Sequence, residues 1–342
     1  MEDTQEKPKM TKVYKHEIDR PPEVIKNPLA IEALEIFKNG TYTNNLGEVI
    51  EIKDALENCM KGTILFKPDH VHNLPTNPHK SPIIEVTREK SLDNCIRITR
   101  DHIASGNNSE MRIACLNYAS ARNPGGGFWS LADEQEETLS RVSGLWPSLI
   151  TKKEMYEYNR QLDTCLYSDY MILSPDVPVF KDSKYRFLDK PMYFSIITSP
   201  AVNAGIVRRR GGPDVDKIEE VMLERIRKVI SVAACGKYNV LILGAWGCCC
   251  FRNDPVMIAN AFKKVLFEEG LGGYFDRICF PIHDYNKGRD LVAIFCDCLG
   301  VQRTSIPSDN EPDKKKMTWK DKKEMRKKEK EKEKREALKN EN

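Results

Sequence analysis

The run YNVLILGAWG, Tyr238 to Gly247, limits the folds open to this chain more than any other stretch. Val240 to Leu243 are all apolar, and glycine follows at once. A run of this kind fits a strand buried on both faces. RIACLNYAS (112–120) repeats the pattern and also leads toward glycines. IIEVT (83–87), DYMILSPDVPVF (169–180) and MYFSIITSP (192–200) read as further strands, and TILF (63–66) as a short one. Helical patterns alternate with them: SLDNCIRITRDHIAS (91–105), QEETLSRVSGL with Leu139 and Val142 as its apolar face, and DPVMIANAFKKVLFEEG capped by Asn253 or Asp254. A long helix, DVDKIEEVMLERIRKVISVAACG, is expected to be capped by Asp214 and to end at Gly236. YFDRICFPIHD and DLVAIFCDCLG close the fold, each with strand or helix character. This alternation predicts an α/β protein, a central sheet covered by helices on both faces. In such sheets ligands sit outside the carboxyl ends of the strands. Loops 125–127 and 244–247 both follow predicted strands and are expected to share one rim.

Ahead of this core, NPLAIEALEIFKNGTY predicts an amphipathic helix stopped by Gly40, with a second helical stretch around Ile50–Met60. PDHVHNLPTNPHK (68–80) reads as a loop. The organisation read from this is a flexible N-terminus over 1–25, a helical extension over 26–80 packed on the core, a core domain over 81–303 and a basic tail over 304–342. From Lys314 to Asn342 there are 14 Lys and Arg against 7 Asp and Glu. That is +7 in a chain of net +3, which leaves −4 for residues 1–313. The Lys-Glu mixing fits a solvated helix held by i,i+4 pairs, with nuclear targeting or weak nucleic-acid contact as the alternative. No apolar run is long enough to span a membrane, and the polar N-terminus lacks the apolar stretch of a secretory signal. The expected location is therefore intracellular, cytoplasmic or nuclear. The 11 cysteines fit a reducing compartment, where they pack as small hydrophobes. Neither Cys248-Cys249-Cys250 nor the six histidines show zinc-ligand spacing, so no metal and no cofactor are expected.

The stretch NPGGGFWSLADEQEETLSR, Asn123 to Arg141, carries the chemistry. Glycine removes the Cβ, so Gly125-Gly126-Gly127 can approach a ligand with bare backbone. Successive N–H groups beside a helix N-terminus bind anions, which gives a route to a pyrophosphate. The usual glycine fingerprints do not fit, because Ser130 stands where the third glycine would be. On residue type alone a structural turn competes with a phosphate cradle. Glu136 and Glu137 are adjacent on a helix and point about 100° apart, so they serve different roles. The bland alternative is two solvated acids in a first helical turn, where the helix dipole favours them.

Gly125-Gly126-Gly127, seven residues, then Gln135-Glu136-Glu137 resembles the signature of the microbial-type poly(ADP-ribose) glycohydrolases, a branch of the macrodomain superfamily. LNYASARNPGGGFW, MILSPDVPVF, ITSPAVNAG and LGAWGCCCFRNDP are similar to that family as well, and the likeness runs from about residue 30 to residue 300. The resemblance implies a macrodomain-like mixed central sheet sandwiched by helices, with an N-terminal helical extension. It implies poly(ADP-ribose) as substrate, cut at the ribose–ribose bond to release ADP-ribose, and ADP-ribosylated proteins as partners. It assigns Glu137 as catalytic acid and Glu136 as the group that orients ribose hydroxyls. Gly125, Gly126, Gly127 and Gln135 fall in the first motif. Gly244, Ala245, Trp246, Gly247 and Cys248 match a second phosphate loop, Phe251 an aromatic beside ADP-ribose, and Asn123 a contact to the distal ribose. The three cysteines at 248–250 depart from the glycine or other small residue that members carry there.

Cleaving an acetal needs its leaving oxygen protonated and its oxocarbenium-like carbon stabilised. A glutamic acid kept neutral by desolvation and the substrate diphosphate supplies the proton, then activates water as the carboxylate. Two rival functions remain on sequence grounds: a hydrolase of single protein-linked ADP-ribose, and a non-catalytic ADP-ribose reader. Several neighbours keep two readings: Arg208-Arg209-Arg210 as a solvated loop or a phosphate contact, Trp246 as core or ligand wall, and the cysteine run as tight packing or a redox-sensitive element. His283 is expected to be structural.

Overall fold

Helix α1 (Pro28–Asn39) starts where the Asn27 side chain accepts a hydrogen bond from the Leu29 N–H at 3.0 Å. Proline at its first position suits a site where no N–H is needed. Gly40 ends the helix at φ 70, in the left-handed region. The computed structural model describes residues 27–306, apart from 77, 79, 108 and 285–289. The expectations for 1–25 and for the basic tail from Pro307 on lie outside the described residues.

After α1 comes an antiparallel pair, β1 (Thr41–Thr43) and β2 (Val49–Glu51), and then helix α2 (Lys53–Gly62). The helical stretch expected from Ile50 therefore begins later. Val49–Glu51 pair with the strand behind Gly40, and the Ile52 N–H donates to the Gly40 carbonyl at 2.8 Å. Strand pairing with a segment several residues back leaves no trace in helical periodicity.

The remaining elements are β3 (Ile64–Phe66), β4 (Ile83–Thr87), α3 (Ser91–Ala104), β5 (Ile113–Tyr118), α4 (Gln135–Val142), α5 (Leu145–Leu149), α6 (Glu154–Gln161), β6 (Met171–Lys181), β7 (Phe187–Ser199), α7 (Ala204–Arg210), α8 (Ile218–Cys235), β8 (Val240–Ile242), α9 (Pro255–Lys263), β9 (Arg277–Pro281) and α10 (Leu291–Leu299). Seven strands form one mixed sheet in the order β3-β6-β7-β5-β8-β9-β4. From β7 to β4 all neighbours are parallel, while β6 runs antiparallel to both β3 and β7. The extension over 26–80 is thus more than helical, because β3 supplies an edge strand of the main sheet.

Side-chain alternation along β5 shows how both faces are filled. Ala114 and Leu116 join the core under α8, α9 and α10, and Ile113 and Cys115 join the core under α3 and α4. A third cluster links α1 to the glycine stretch through Phe37, Phe128, Trp146 and Phe180.

Asp254 caps α9, accepting from the Met257 N–H at 3.0 Å, as one of the two expected alternatives. Asp214 does not cap α8, which starts at Ile218. The Asp214 carboxylate instead accepts from Thr164 Oγ1 at 2.6 Å and Lys217 Nζ at 3.2 Å. The last of the closing segments resolves as helix α10 and the one before it as strand β9. Helices α5, α6 and α7 are too short, or too uniformly buried, to show an amphipathic period.

Phe37 stacks on Trp146 at 6.3 Å between centroids, and Trp146 stacks on Phe128 at 4.9 Å. Phe37→Ala opens a cavity beneath this pile and is expected to cost about 3–5 kcal/mol of unfolding free energy. Urea denaturation of the variant and the parent measures it.

Candidate active site

Gly125 and Gly126 have φ 71 and 58, values that L side chains rarely adopt. A Cβ on Gly126 would come 2.8 Å from Glu136 Oε2 and closer still to Glu137 Oε1. The absent side chain at 126 therefore makes room for two carboxylates. The Gly127 N–H donates to Glu137 Oε1 at 2.6 Å, and the Glu134 N–H to Glu137 Oε2 at 3.2 Å. Glu137 is the third residue of α4 and closes a capping box with Glu134. Glu136 Oε2 accepts from the Ser120 N–H at 2.6 Å, and Oε1 from Asn117 Nδ2 at 3.4 Å. Both glutamates are buried, 4 % and 8 % exposed, which removes the reading of two solvated acids.

Arg141 locks this arrangement. Its fully buried guanidinium donates to the carbonyls of Gly127, Phe128, Ser130 and Ala132 at 2.7–3.1 Å. A planar group with five donors gathers turning carbonyls in this way. Arg141 lies within the stretch singled out by sequence, but its position one turn beyond the glutamates gives it no distinct signature there.

The second loop follows β8. A Cβ on Gly247, at φ 73, would meet Asn253 Nδ2 at 2.6 Å and Ala201 at 2.7 Å. The buried Asn253 side chain ties the loop by donating to the carbonyls of Val202 at 2.8 Å and Gly247 at 3.2 Å. Among the described residues, the N–H groups of Gly247, Cys249 and Phe251 make no hydrogen bond within the protein. Such unpaired N–H groups in a tight turn suit an anion.

Between the loops lies a cleft of about 470 Å³. Its walls come from the carboxyl ends of parallel strands: Glu89 to Leu92 after β4, Ser120 and Asn123 after β5, Ala201 after β7, Ala245 to Gly247 and Cys249 to Phe251 after β8, and His283 after β9. Helix α4 closes one side. Of the expected residues, Glu136, Glu137, Asn123, Gly126, Gly127, Gln135, Ala245, Trp246, Gly247 and Phe251 line it.

Three expected residues do not line it. Gly125 backs onto Trp146 and Ser140, Gly244 lies against the Pro281 carbonyl and the Tyr118 hydroxyl, and the Cys248 thiol points to the Trp246 carbonyl at 3.7 Å. Cys249 and Cys250 face the cleft in place of Cys248. Burial pushes the thiols of all three cysteines up, which disfavours a reactive thiolate. Gln135 is at the wall, but its amide is a strand clamp: Oε1 accepts from the Tyr118 N–H at 2.7 Å, and Nε2 donates to the Leu116 carbonyl at 2.9 Å and Ser91 Oγ at 3.0 Å. Trp246 is fully buried and belongs mainly to the core. Sequence reading missed Tyr118, Ser120, Ser91 and Lys90, which the strand ends bring in without any local motif.

Acidic side chains outnumber basic ones in the cleft wall, with Glu89, Asp133, Glu134, Glu136 and Glu137 against Lys90. Burial pushes the Glu136 carboxyl well above the ordinary carboxylate range, and the Glu137 charge adds to it, against hydrogen bonds from the Ser120 N–H and Asn117. Among the described residues no group of three or more His, Cys, Asp and Glu side chains could hold a metal ion. Among them, too, no helix is long and apolar enough to cross a membrane.

A carboxyl with a raised value in the folded state adds stability that is complete below its unfolded value, about 4.3. That contribution is lost as pH rises toward the folded value. Glu136→Gln removes the cost of charging a buried group. Its Tm is therefore expected to rise relative to the parent by a few degrees between about pH 4 and about pH 8. Thermal melts at the two pH values check this, and a constant difference would contradict it.

The family described as microbial-type PARG, catalytic domain, matches residues 30–182. A solved poly(ADP-ribose) glycohydrolase (PARG) from Thermomonospora curvata is 35% identical, with a TM-score of 0.70, over 79% of this chain and 97% of that one. The same enzyme bound to the inhibitor ADP-HPD matches with a TM-score of 0.68. The enzyme from Deinococcus radiodurans in complex with ADP-ribose is 35% identical, with a TM-score of 0.64, over 71% of this chain and 96% of that one. No curated protein matches this chain. An identity of 35% across nearly the whole length of the Thermomonospora enzyme, with its fold, identifies the chain as a member of the microbial-type poly(ADP-ribose) glycohydrolase family.

Proposed function

We propose that this chain is a poly(ADP-ribose) glycohydrolase that cleaves the ribose–ribose bond and releases ADP-ribose. The observation that carries this is the meeting of two buried carboxylates on the bare backbone of Gly126, inside a cleft at the carboxyl edge of the sheet. Its relatives include an enzyme solved with ADP-ribose and one solved with the inhibitor ADP-HPD.

In this reading Glu137 gives its proton to the leaving ribose oxygen as the glycosidic bond breaks. The carboxylate that remains stabilises the oxocarbenium-like carbon, then takes a proton from the attacking water. Two backbone N–H groups hold both of its oxygens, so its rotamer is fixed before substrate arrives. Glu136, fixed from the other side by Ser120 and Asn117, orients the ribose hydroxyls. The diphosphate lies against Gly126, Gly127 and the turn at Ala245–Gly247, with the unpaired N–H groups of the second turn as donors. Phe251 packs against the ADP-ribose and Asn123 meets the distal ribose, both from the cleft wall. A reader module has no use for two buried carboxylates at the reaction end, since each costs stability without a charge partner. Residues 26–80 act with the core as its buttress, through α1 and the aromatic cluster over the glycine turn.

Glu137→Gln keeps the shape and one hydrogen-bond acceptor. It is expected to lower release of ADP-ribose from polymer by a factor of about 10³ or more while leaving ADP-ribose affinity largely intact. Polymer turnover and calorimetric titration with ADP-ribose read the two effects, and retained turnover would reject Glu137 as the acid. Gly126→Ala drives a methyl group into both carboxylates, so a loss of turnover comparable in size is expected.

A further inference from the structure

We propose that Arg122 and Arg252, backed by Arg160 and Arg208, form a basic rim that grips the diphosphate of the polymer unit adjoining the one released. This rests on the glycohydrolase reading above and extends it to a second subsite.

All four arginines are exposed. Arg122 directly precedes Asn123, and Arg252 directly follows Phe251, so both are adjacent to cleft residues. The Tyr167 and Phe251 ring centroids lie 6.4 Å apart, and burial pushes the Tyr167 hydroxyl up while the Arg122 charge acts to lower it. Each of the two is held by another arginine: Arg160 Nη1 donates to the Arg122 carbonyl at 2.6 Å, and Arg208 Nη1 to the Arg252 carbonyl at 2.8 Å. Elsewhere on the surface Arg88, Arg97, Arg227 and Arg277 pair with carboxylates. Among the described residues no carboxylate pairs with Arg122, Arg160, Arg208 or Arg252. Their charge is left for a ligand.

Backbone strain points the same way. Arg252 has φ 55, a conformation that favours glycine. Its aliphatic stem lies along Gly205, where a Cβ would come 3.0 Å from Arg252 Cδ. We read the exposed arginine kept in this conformation as one whose side chain is used.

The rim also stands at the correct end of the cleft. Cys250 and Phe251 line the same cleft as Glu137, so the turn at 250–252 borders the place of the reacting bond. The polymer beyond that bond must leave past it. Inside the cleft, five acidic side chains stand against one lysine, so an approaching polyanion finds little positive charge there. Guanidinium groups bind phosphate through paired N–H donors, which suits a diphosphate repeated in every unit.

The test compares the parent full chain with Arg122→Gln/Arg252→Gly, where glycine fits the φ at 252. Arg208→Gln serves as a second variant outside the strained turn. The double variant is expected to raise KM for long poly(ADP-ribose) about tenfold with kcat unchanged. Its Kd for free ADP-ribose stays that of the parent, and the salt dependence of KM becomes shallower. Arg208→Gln shifts KM in the same direction by less. An unchanged polymer KM would overturn the rim, as would an equal loss of affinity for free ADP-ribose. If the parent binds polymer but releases nothing, the hydrolase reading fails. The rim is then judged by polymer binding alone, where the double variant must still lose affinity.

Discussion

A single backbone hydrogen bond, from the Gly127 N–H to the Glu137 carboxylate at 2.6 Å, ties the cleft together. It exists because Gly126 has no side chain to keep the carboxylates away. It persists because Arg141 draws four carbonyls of the same stretch around one guanidinium. Phe128 anchors that stretch from beneath, stacked on Trp146, which in turn meets Phe37 of the first helix. Removing any layer loosens the one above, so the N-terminal helix contributes to the geometry of the Glu137 carboxylate.

The sheet supplies the rest of the geometry. Five strands point their carboxyl ends to one edge, and each delivers a short segment to the cleft wall. Side chains facing inward along β5 are held between two cores, so the strand ends have little freedom. Gln135 then pins the start of α4 to β5 through both ends of its amide. The glycine turn, the acidic helix and the second turn are thus fixed to the same rigid element. Acidic side chains line the interior of the cleft, and the exposed Arg122 and Arg252 adjoin its wall residues in sequence.

Much of this could be read from residue patterns. The parallel strands appear as apolar runs, since a strand covered on both faces has no polar side to show. The glycine and glutamate motif was visible as well, because unusual backbone and paired acids are local properties. Three features were not. The strand at Val49–Glu51 depends on a partner behind Gly40. Asp214 satisfies the chemistry of a cap but meets Thr164, a contact across 50 residues. Cys248 lies in the cleft-bordering turn, yet its thiol faces inward while Cys249 and Cys250 face the cleft.

The main sheet strands, the long helices and the residue types able to break an acetal were legible in the chain alone, because periodicity, glycine and carboxylate are written one residue at a time. What the glycines are for became readable only in three dimensions. In the linear motif they look like a bare cradle for phosphate, whereas in the fold Gly126 clears space for Glu136 and Glu137, and Gly125 clears it for Trp146. The physical reason is that a missing Cβ has meaning only relative to the atoms that would collide with it, and those atoms arrive from elsewhere in the chain.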